Sequence, residues 1–290
     1  MISLWMILAA APMALAEVDP NCDELVAPAD YDEQTQQDFL ANYPALATSL
    51  SPIHAPIPHK PGGGAIGLDL LFIPPLGCGQ RMVLDFTKTE DTNRAPIAPR
   101  PRVTFAMRPL FGRVFPYGGA ALVPPIPING TRSLIVSGEL GLGLYVAKRG
   151  QVALRGHSTL QRTLGDVATA FEPDEPTLLD LYVASSMGLD LMAGIELGQV
   201  TPYASVGVLD VSTFFWIGDD SVVTNNLHPY LGPAISLGVD SLVREKIRVG
   251  GELYVAPGGH SSPDETAPSL KPTSRYGHLT TVRLRAAWEL

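Results

Sequence analysis

The segment LIVSGELGLGLYV, Leu134 to Val146, decides the fold. Leu134, Val136, Gly138, Leu140, Leu142, Leu144 and Val146 share one side of an extended chain, and Ile135, Ser137, Glu139, Gly141, Gly143 and Tyr145 share the other. A period of two means a strand with one apolar face and one polar or small face. Working outward, the beat recurs in Leu179 to Leu197, where Leu181, Val183, Leu189 and Leu191 interleave with Asp180, Tyr182, Ser186 and Asp190.

The pattern predicts about ten antiparallel strands: 81–87, 102–108, 113–123, 132–148, 151–164, 178–197, 201–214, 229–243, 246–256 and 276–290. Ala65 to Ile73 reads either as an added strand, giving twelve with an undetected partner, or as a piece outside the sheet. The connections alternate. Arg149-Gly150, Gly198 to Val200 and Arg244-Glu245 are tight turns, whereas Gly165 to Thr177, Trp216 to His228 and Pro257 to Arg275 are long and polar. Short turns on one rim and long loops on the other define an up-and-down barrel of the transmembrane type, with the short turns periplasmic.

Composition agrees. Of 290 residues, 46% are hydrophobic and only 17% charged, which suits an exterior that faces lipid. After the first residues no apolar run approaches the eighteen or so that a spanning helix needs, so a spanning chain must close as a barrel, because lipid cannot satisfy open strand edges. Most of the formal charge of -9 sits in the acidic segment before Lys60, which holds no Lys or Arg. Without clustered cations, nucleic acid is not an expected partner.

Three regions are expected. Met1 to Ala16, with an apolar stretch and the small-x-small ending Ala14-Leu15-Ala16, reads as a signal peptide. Residues 17–64 form an acidic leader. In it, a short helix lies within Asp30 to Tyr43 and stops at Pro44, and the Pro-rich stretch Ser51 to Gly64 is an extended linker. Residues 65–290 form the barrel. The address is the bacterial outer membrane, with the leader in the periplasm or the barrel lumen. Cys22 and Cys78 are a candidate disulfide in an oxidising compartment.

The last segment, HLTTVRLRAAWEL, keeps the beat through Thr280, Val282, Leu284, Ala286, Trp288 and Leu290. It resembles the terminal strand of bacterial outer-membrane β-barrels, which the barrel-assembly machinery of those membranes recognises. The family habit is an aromatic final residue, and here Trp288 stands two positions before Leu290. The resemblance covers roughly residues 81 to 290 and implies outer-membrane lipid and that machinery as partners.

If the apolar face meets lipid, the alternate face points inward. Parity then places Glu139, Arg155, His157, Asp180, Asp190, Glu196, Lys246, Arg248, Glu252, Arg283, Arg285 and Glu289 in the lumen, beside small residues such as Gly141, Gly143, Gly188 and Gly238. Both signs of charge are present, which fits a narrow conduit and a salt-bridged plug equally well. The expected function is a passive, porin-like channel for small polar solutes; the alternative is a non-transporting structural or surface-interaction protein. No catalysis, cofactor or metal is expected. His260 and Ser262 sit in a loop with nothing to orient them, His157 and Ser158 point to opposite faces, and His54 and His59 lack a third ligand nearby.

Overall fold

The computed structural model describes residues 18–22, 24–27, 33–84, 86–90, 96–128, 131–165, 167–169, 179–218, 222–257 and 278–290. The expected signal peptide, the His260–Ser262 pair and most of the loop at 257–275 lie outside these residues.

In chain order the elements are helix α1 (Glu33–Thr48), β1 (Gly64–Phe72), α2 (Cys78–Arg81), β2 (Met82–Val83), β3 (Lys88–Thr89), β4 (Ile97–Ala106), β5 (Val114–Val123) and β6 (Pro127–Ile128). There follow β7 (Thr131–Tyr145), β8 (Gly150–Gly165), β9 (Asp180–Ile195), β10 (Val200–Ile217), β11 (Val222–Arg244), β12 (Ile247–Ala256) and β13 (Leu279–Glu289). Neighbours run β5-β4-β1-β13-β12-β11-β10-β9-β8-β7, and β5 pairs with β7 to close the ring. The result is a closed antiparallel barrel of ten strands. Closure removes the free edges that lipid would leave unsatisfied.

The number ten stands, but one member differs from expectation. The stretch at 81–87 is not a barrel strand. Arg81 ends α2, among the described residues Met82–Val83 pairs only with Lys88–Thr89, and Leu84 and Phe86 adopt left-handed backbone (φ 52° and 65°), which is incompatible with extended strand at those positions. Its place is taken by Gly64–Phe72, the segment left open by the pattern, which pairs with β13 on one side and β4 on the other.

The walls differ in height. β1, β4, β5, β12 and β13 have 9 to 11 residues, about what a tilted strand needs to cross a bilayer, whereas β7 to β11 have 15 to 23. The turns at 107–113, 146–149, 196–199 and 245–246 share one rim with the start of β1 and the end of β13. The connections from Phe72 to Ile97, Val123 to Thr131, Gly165 to Asp180 and Ala256 to Leu279 meet the other rim. Trp216 to His228, expected as a long loop, is instead largely strand: β10 runs to Ile217 and β11 starts at Val222, paired with each other.

Side-chain burial follows the two-residue beat. Leu140 is 67% exposed and Leu191 59%, whereas Glu139 and Asp190, one residue away on the other face, are buried. A surface that leaves leucine out while enclosing ionised groups is the inverse of a water-soluble protein.

The helix also departs from expectation. It runs through Pro44 to Thr48, although an interior proline removes a backbone hydrogen bond and costs about 3 kcal/mol. Packing overrides that cost: Phe39, Tyr43 and Leu46 are buried against Tyr182, Leu209, Val211 and Leu279 of the wall.

Candidate functional site: a lumen filled by the leader

α1 lies toward the long-loop rim, where Gln36 Nε2 donates to the Gln80 carbonyl and Tyr43 OH to the Pro74 carbonyl. From Thr48 the chain descends through the barrel and reaches the short-turn rim near Gly62, whose N–H donates to Ala106 O at 3.0 Å. Along this path Leu50, Ile53, His54 and Ala55 are at most 2% exposed.

The wall holds this segment mainly by its backbone. Arg283 donates to the carbonyls of Leu46 and Ala47, both at 3.2 Å, and of Ser49, at 2.9 Å. Arg100 donates to Thr48 O at 2.9 Å, Arg155 to Leu50 O at 2.8 Å and Arg102 to Ser51 O at 3.1 Å. The last carbonyls of a helix lack intrahelical partners and carry partial negative charge, so guanidinium groups satisfy them well. Further down the polarity reverses and wall acceptors meet leader N–H groups: Ile53 N donates to Glu252 at 3.0 Å, Ala55 N to Asp240 at 3.0 Å and Ile57 N to Gln151 at 3.2 Å. Between Thr48 and Gly64 the leader forms no helix or strand, so most of its backbone groups lack the ladder bonds those elements supply. Its backbone is therefore free to bond to the wall.

Beneath these contacts the wall is an ion-pair network. Glu139 accepts from Arg155 Nε at 2.6 Å and from Arg102, and Arg155 also reaches Asp190. Asp69 on β1 has Arg285 of β13 and Arg100 of β4 as its direct register partners. Nearer the short-turn rim Arg248 bridges Asp240 at 2.8 Å and Glu289 at 2.6 Å. His54 Nε2 lies 3.4 Å from Glu139, His59 Nε2 lies 2.6 Å from Thr104 Oγ1, and His157 Nε2 lies 3.5 Å from Asp190.

Glycines make the room. Tyr117 lies over Gly141 and Tyr203 over Gly238, each its direct partner on the neighbouring strand, and a Cβ at either glycine would fall 2.4 Å or less from the ring. Large luminal side chains thus lie flat along the wall. Where the leader passes, a Cβ at Gly250 would sit 2.8 Å from Ile53 O, and one at Gly143 would sit 2.7 Å from Ile57 Cγ1.

Of the residues placed inward by parity, Glu139, Arg155, His157, Asp190, Arg248, Glu252, Arg283 and Arg285 are brought into this lumen. Asp180 instead works at the long-loop rim, accepting from the N–H groups of Val167 and Ala168, both at 2.8 Å, and of Gly218 at 2.9 Å. Glu196 stands at the opposite rim beside Tyr145 and Gln151. Lys246 is not luminal: it lies in an exposed turn with its ammonium 5.9 Å from the Trp288 ring centroid, because the β11–β12 turn ends the alternation there. Sequence parity missed Asp69, Arg100, Arg102 and Asp240. The usable signal was APRPRV at 98–103, where the arginines alternate with prolines.

Outside the barrel, Cys22 and Cys78 form a disulfide (S–S 2.03 Å) that ties the leader to the long-loop rim. Beside it Arg81 Nη2 donates to Asp19 at 2.8 Å. A backbone hydrogen bond from Asn21, reinforced by Arg81, holds the Asp19 carboxyl below its ordinary range. No group of three or more His, Cys, Asp or Glu suited to a metal ion occurs among the described residues.

A closed antiparallel barrel with an apolar exterior and a charged, occupied lumen has the architecture of the bacterial outer-membrane β-barrels. No family model and no curated protein matches the chain. Solved structures similar to it include OmpT, an outer membrane protein of Vibrio cholerae, at 12% identity and TM-score 0.29, covering 67% of this chain and 56% of that one. Another is the toluene transporter TodX of Pseudomonas putida, at 8% identity and TM-score 0.37, covering 90% and 77%. A third is the monoaromatic hydrocarbon channel CymD, at 9% identity and TM-score 0.34, covering 95% and 97%. The chain thus spans little more than half the length of OmpT. All three scores fall below 0.5, so the barrel stands on the chain's own strand pairing.

Proposed function

We propose that the protein is a passive outer-membrane channel for small polar solutes, closed at rest by its own leader. The observation that carries this reading is the way the leader is held. Wall arginines grip the carbonyls of Leu46 to Ser51, and wall acceptors take the N–H groups of Ile53, Ala55 and Ile57. Such bonds exchange readily for water, whereas a permanent plug is more cheaply built from apolar packing. Six arginines (100, 102, 155, 248, 283 and 285) and six carboxylates (69, 139, 190, 240, 252 and 289) are costly to keep dry, because desolvation offsets much of each pair's attraction. A lumen that fills with water when the leader withdraws recovers that cost and presents charged walls to polar solutes.

The second reading, a non-transporting structural or surface-interaction barrel, draws on the disulfide and on the apolar seating of α1. Planar bilayers separate the two. The full chain is expected to be silent, and a variant lacking residues 17–63 is expected to give steady single-channel conductance. A leaderless barrel that still migrates differently when boiled, yet stays silent, overturns the channel reading in favour of the second.

A further inference from the structure

We propose that the short-turn rim is a docking surface for anionic phospholipid headgroups, an inference that rests on the reading of the barrel exterior as lipid-facing. The turns on this rim carry six exposed cations: Arg108, Arg113, Lys148, Arg149, Arg244 and Lys246. Within the turns two carboxylates stand against them, Glu196 and Glu245; Glu196 already accepts from Tyr145 and Gln151, and Glu289 at the end of β13 is engaged by Arg248 and His59. None of the six cations forms a salt bridge among the described residues, in contrast to the six paired or backbone-bound arginines inside the lumen.

Exposed apolar side chains lie directly beside this basic ring. Phe111 is 97% exposed at the tip of the β4–β5 turn, carried outward by left-handed backbone at Phe111 (φ 50°) and Gly112 (φ 70°), with Arg108 and Arg113 flanking it. Val146 precedes Lys148, Val243 precedes Arg244, and Lys246 lies over the exposed ring of Trp288. Cations on long stems next to aromatic and aliphatic groups are what a membrane interface selects, since the stems cover hydrocarbon while the charges reach headgroup phosphates. The cation-bearing β4–β5 and β7–β8 turns are two strands, about 10 Å, apart around the rim, and the β11–β12 turn is four strands, about 20 Å, from either. Each pair of cations therefore meets its own headgroup, an arrangement that fits separate lipids better than one continuous polyanion. Clustered Lys and Arg at a bilayer surface favour anionic over zwitterionic lipid.

Trp288 supplies the probe. The chain has three tryptophans, so Trp5→Phe with Trp216→Phe leaves Trp288 alone on this rim. The protein is placed in phosphatidylcholine vesicles containing a minor fraction of brominated lipid, either phosphatidylglycerol or phosphatidylcholine. At low salt, quenching is expected to report association with brominated phosphatidylglycerol roughly threefold to tenfold stronger than with brominated phosphatidylcholine. The preference should fall toward unity in 1 M salt, about where the screening length shrinks to 3 Å. It should also fall on combining Arg113→Gln, Lys148→Gln, Arg149→Gln and Arg244→Gln, whereas Arg132→Gln with Arg162→Gln, on exposed arginines toward the other rim, should leave it unchanged. Equal quenching by both lipids overturns the headgroup proposal and leaves the lipid-facing reading intact. Failure of either lipid to quench Trp288, in protein whose gel migration still shifts on boiling, overturns the lipid-facing reading and this proposal with it.

Discussion

Arg283 donates to the carbonyl oxygen of Ser49 across 2.9 Å, although 234 residues separate them in the chain. The same guanidinium reaches the carbonyls of Leu46 and Ala47 and stacks over the Tyr254 ring, so one side chain of the last strand ends the helix and anchors the luminal segment. Arg283→Ala is expected to destabilise the leader's seating by about 1.5–3 kcal/mol, the usual range for hydrogen bonds to a charged group. Bilayer recordings should then show transient openings that the parent lacks. Arg283→Lys is expected to restore only part of the closure, because an ammonium cannot reproduce the planar fork.

Gly250 tests whether the leader occupies the lumen as described. Gly250→Val places methyl groups against Ile53 O, where even a Cβ sits at 2.8 Å and the obstacle is backbone rather than a movable side chain end. The expected result is displacement of the segment around Ala55, read as faster labelling of Ala55→Cys by a bilayer-impermeant thiol reagent. Gly156→Val, where nothing lies within 4 Å, is expected to leave labelling at the parental rate.

The disulfide closes a loop of 56 residues of sequence separation between Cys22 and Cys78. In the chain-entropy account such a cross-link contributes about 4 kcal/mol by restricting the unfolded chain. Cys22→Ser with Cys78→Ser is therefore expected to lower the temperature at which the leader becomes accessible to protease, while the barrel keeps its boiling-dependent gel shift. Loss of both together means that the leader and the ring unfold as one unit.

Much of the ring was legible because each strand has one face in lipid and one in the lumen, and that difference writes period two into the chain from Thr131 to Arg244. The first strand was obscured for a local reason: Leu70, Leu71 and Phe72 are consecutive apolar residues, so its alternation fades just where it meets the loop. RMVLDFT imitated a strand through Met82, Leu84 and Phe86, but left-handed backbone at two of these positions turns it into a small hairpin. The candidate site was half readable. Parity found Glu139, Arg155, Asp190 and Arg283, because their inward direction depends only on their own strand. It could not find the leader groups that Arg155 and Arg283 hold, since carbonyls of Leu46 to Ser51 carry no residue-type signature and are chosen by the tertiary path of the leader.

Acid should loosen the rim anchor. Asp19 has its carboxyl below the ordinary value, through the Asn21 backbone N–H and then Arg81. A carboxylate lowered on folding contributes stability above its unfolded pKa and loses it as pH falls through the folded value. The leader's outer end is thus expected to exchange backbone hydrogens faster as pH drops below the ordinary aspartate value of 3.8, after correction for intrinsic rates. Asp19→Asn should show the faster exchange at neutral pH as well, with no further acid dependence at this site.

The orientation of the whole wall rests on Leu140, which stands 67% exposed one residue from buried Glu139. On a water-facing surface, Leu140→Arg is a change of less than about 0.5 kcal/mol. Facing the hydrocarbon core, the same change costs about 2–4 kcal/mol near the bilayer midplane and less toward the interfaces. Urea-driven unfolding from phosphatidylcholine vesicles is expected to show the larger cost for Leu140→Arg. Leu197→Arg, at the short-turn rim, should cost much less. Near-equal and small costs at both positions would place Leu140 in water and remove the basis for reading the exterior as a membrane surface.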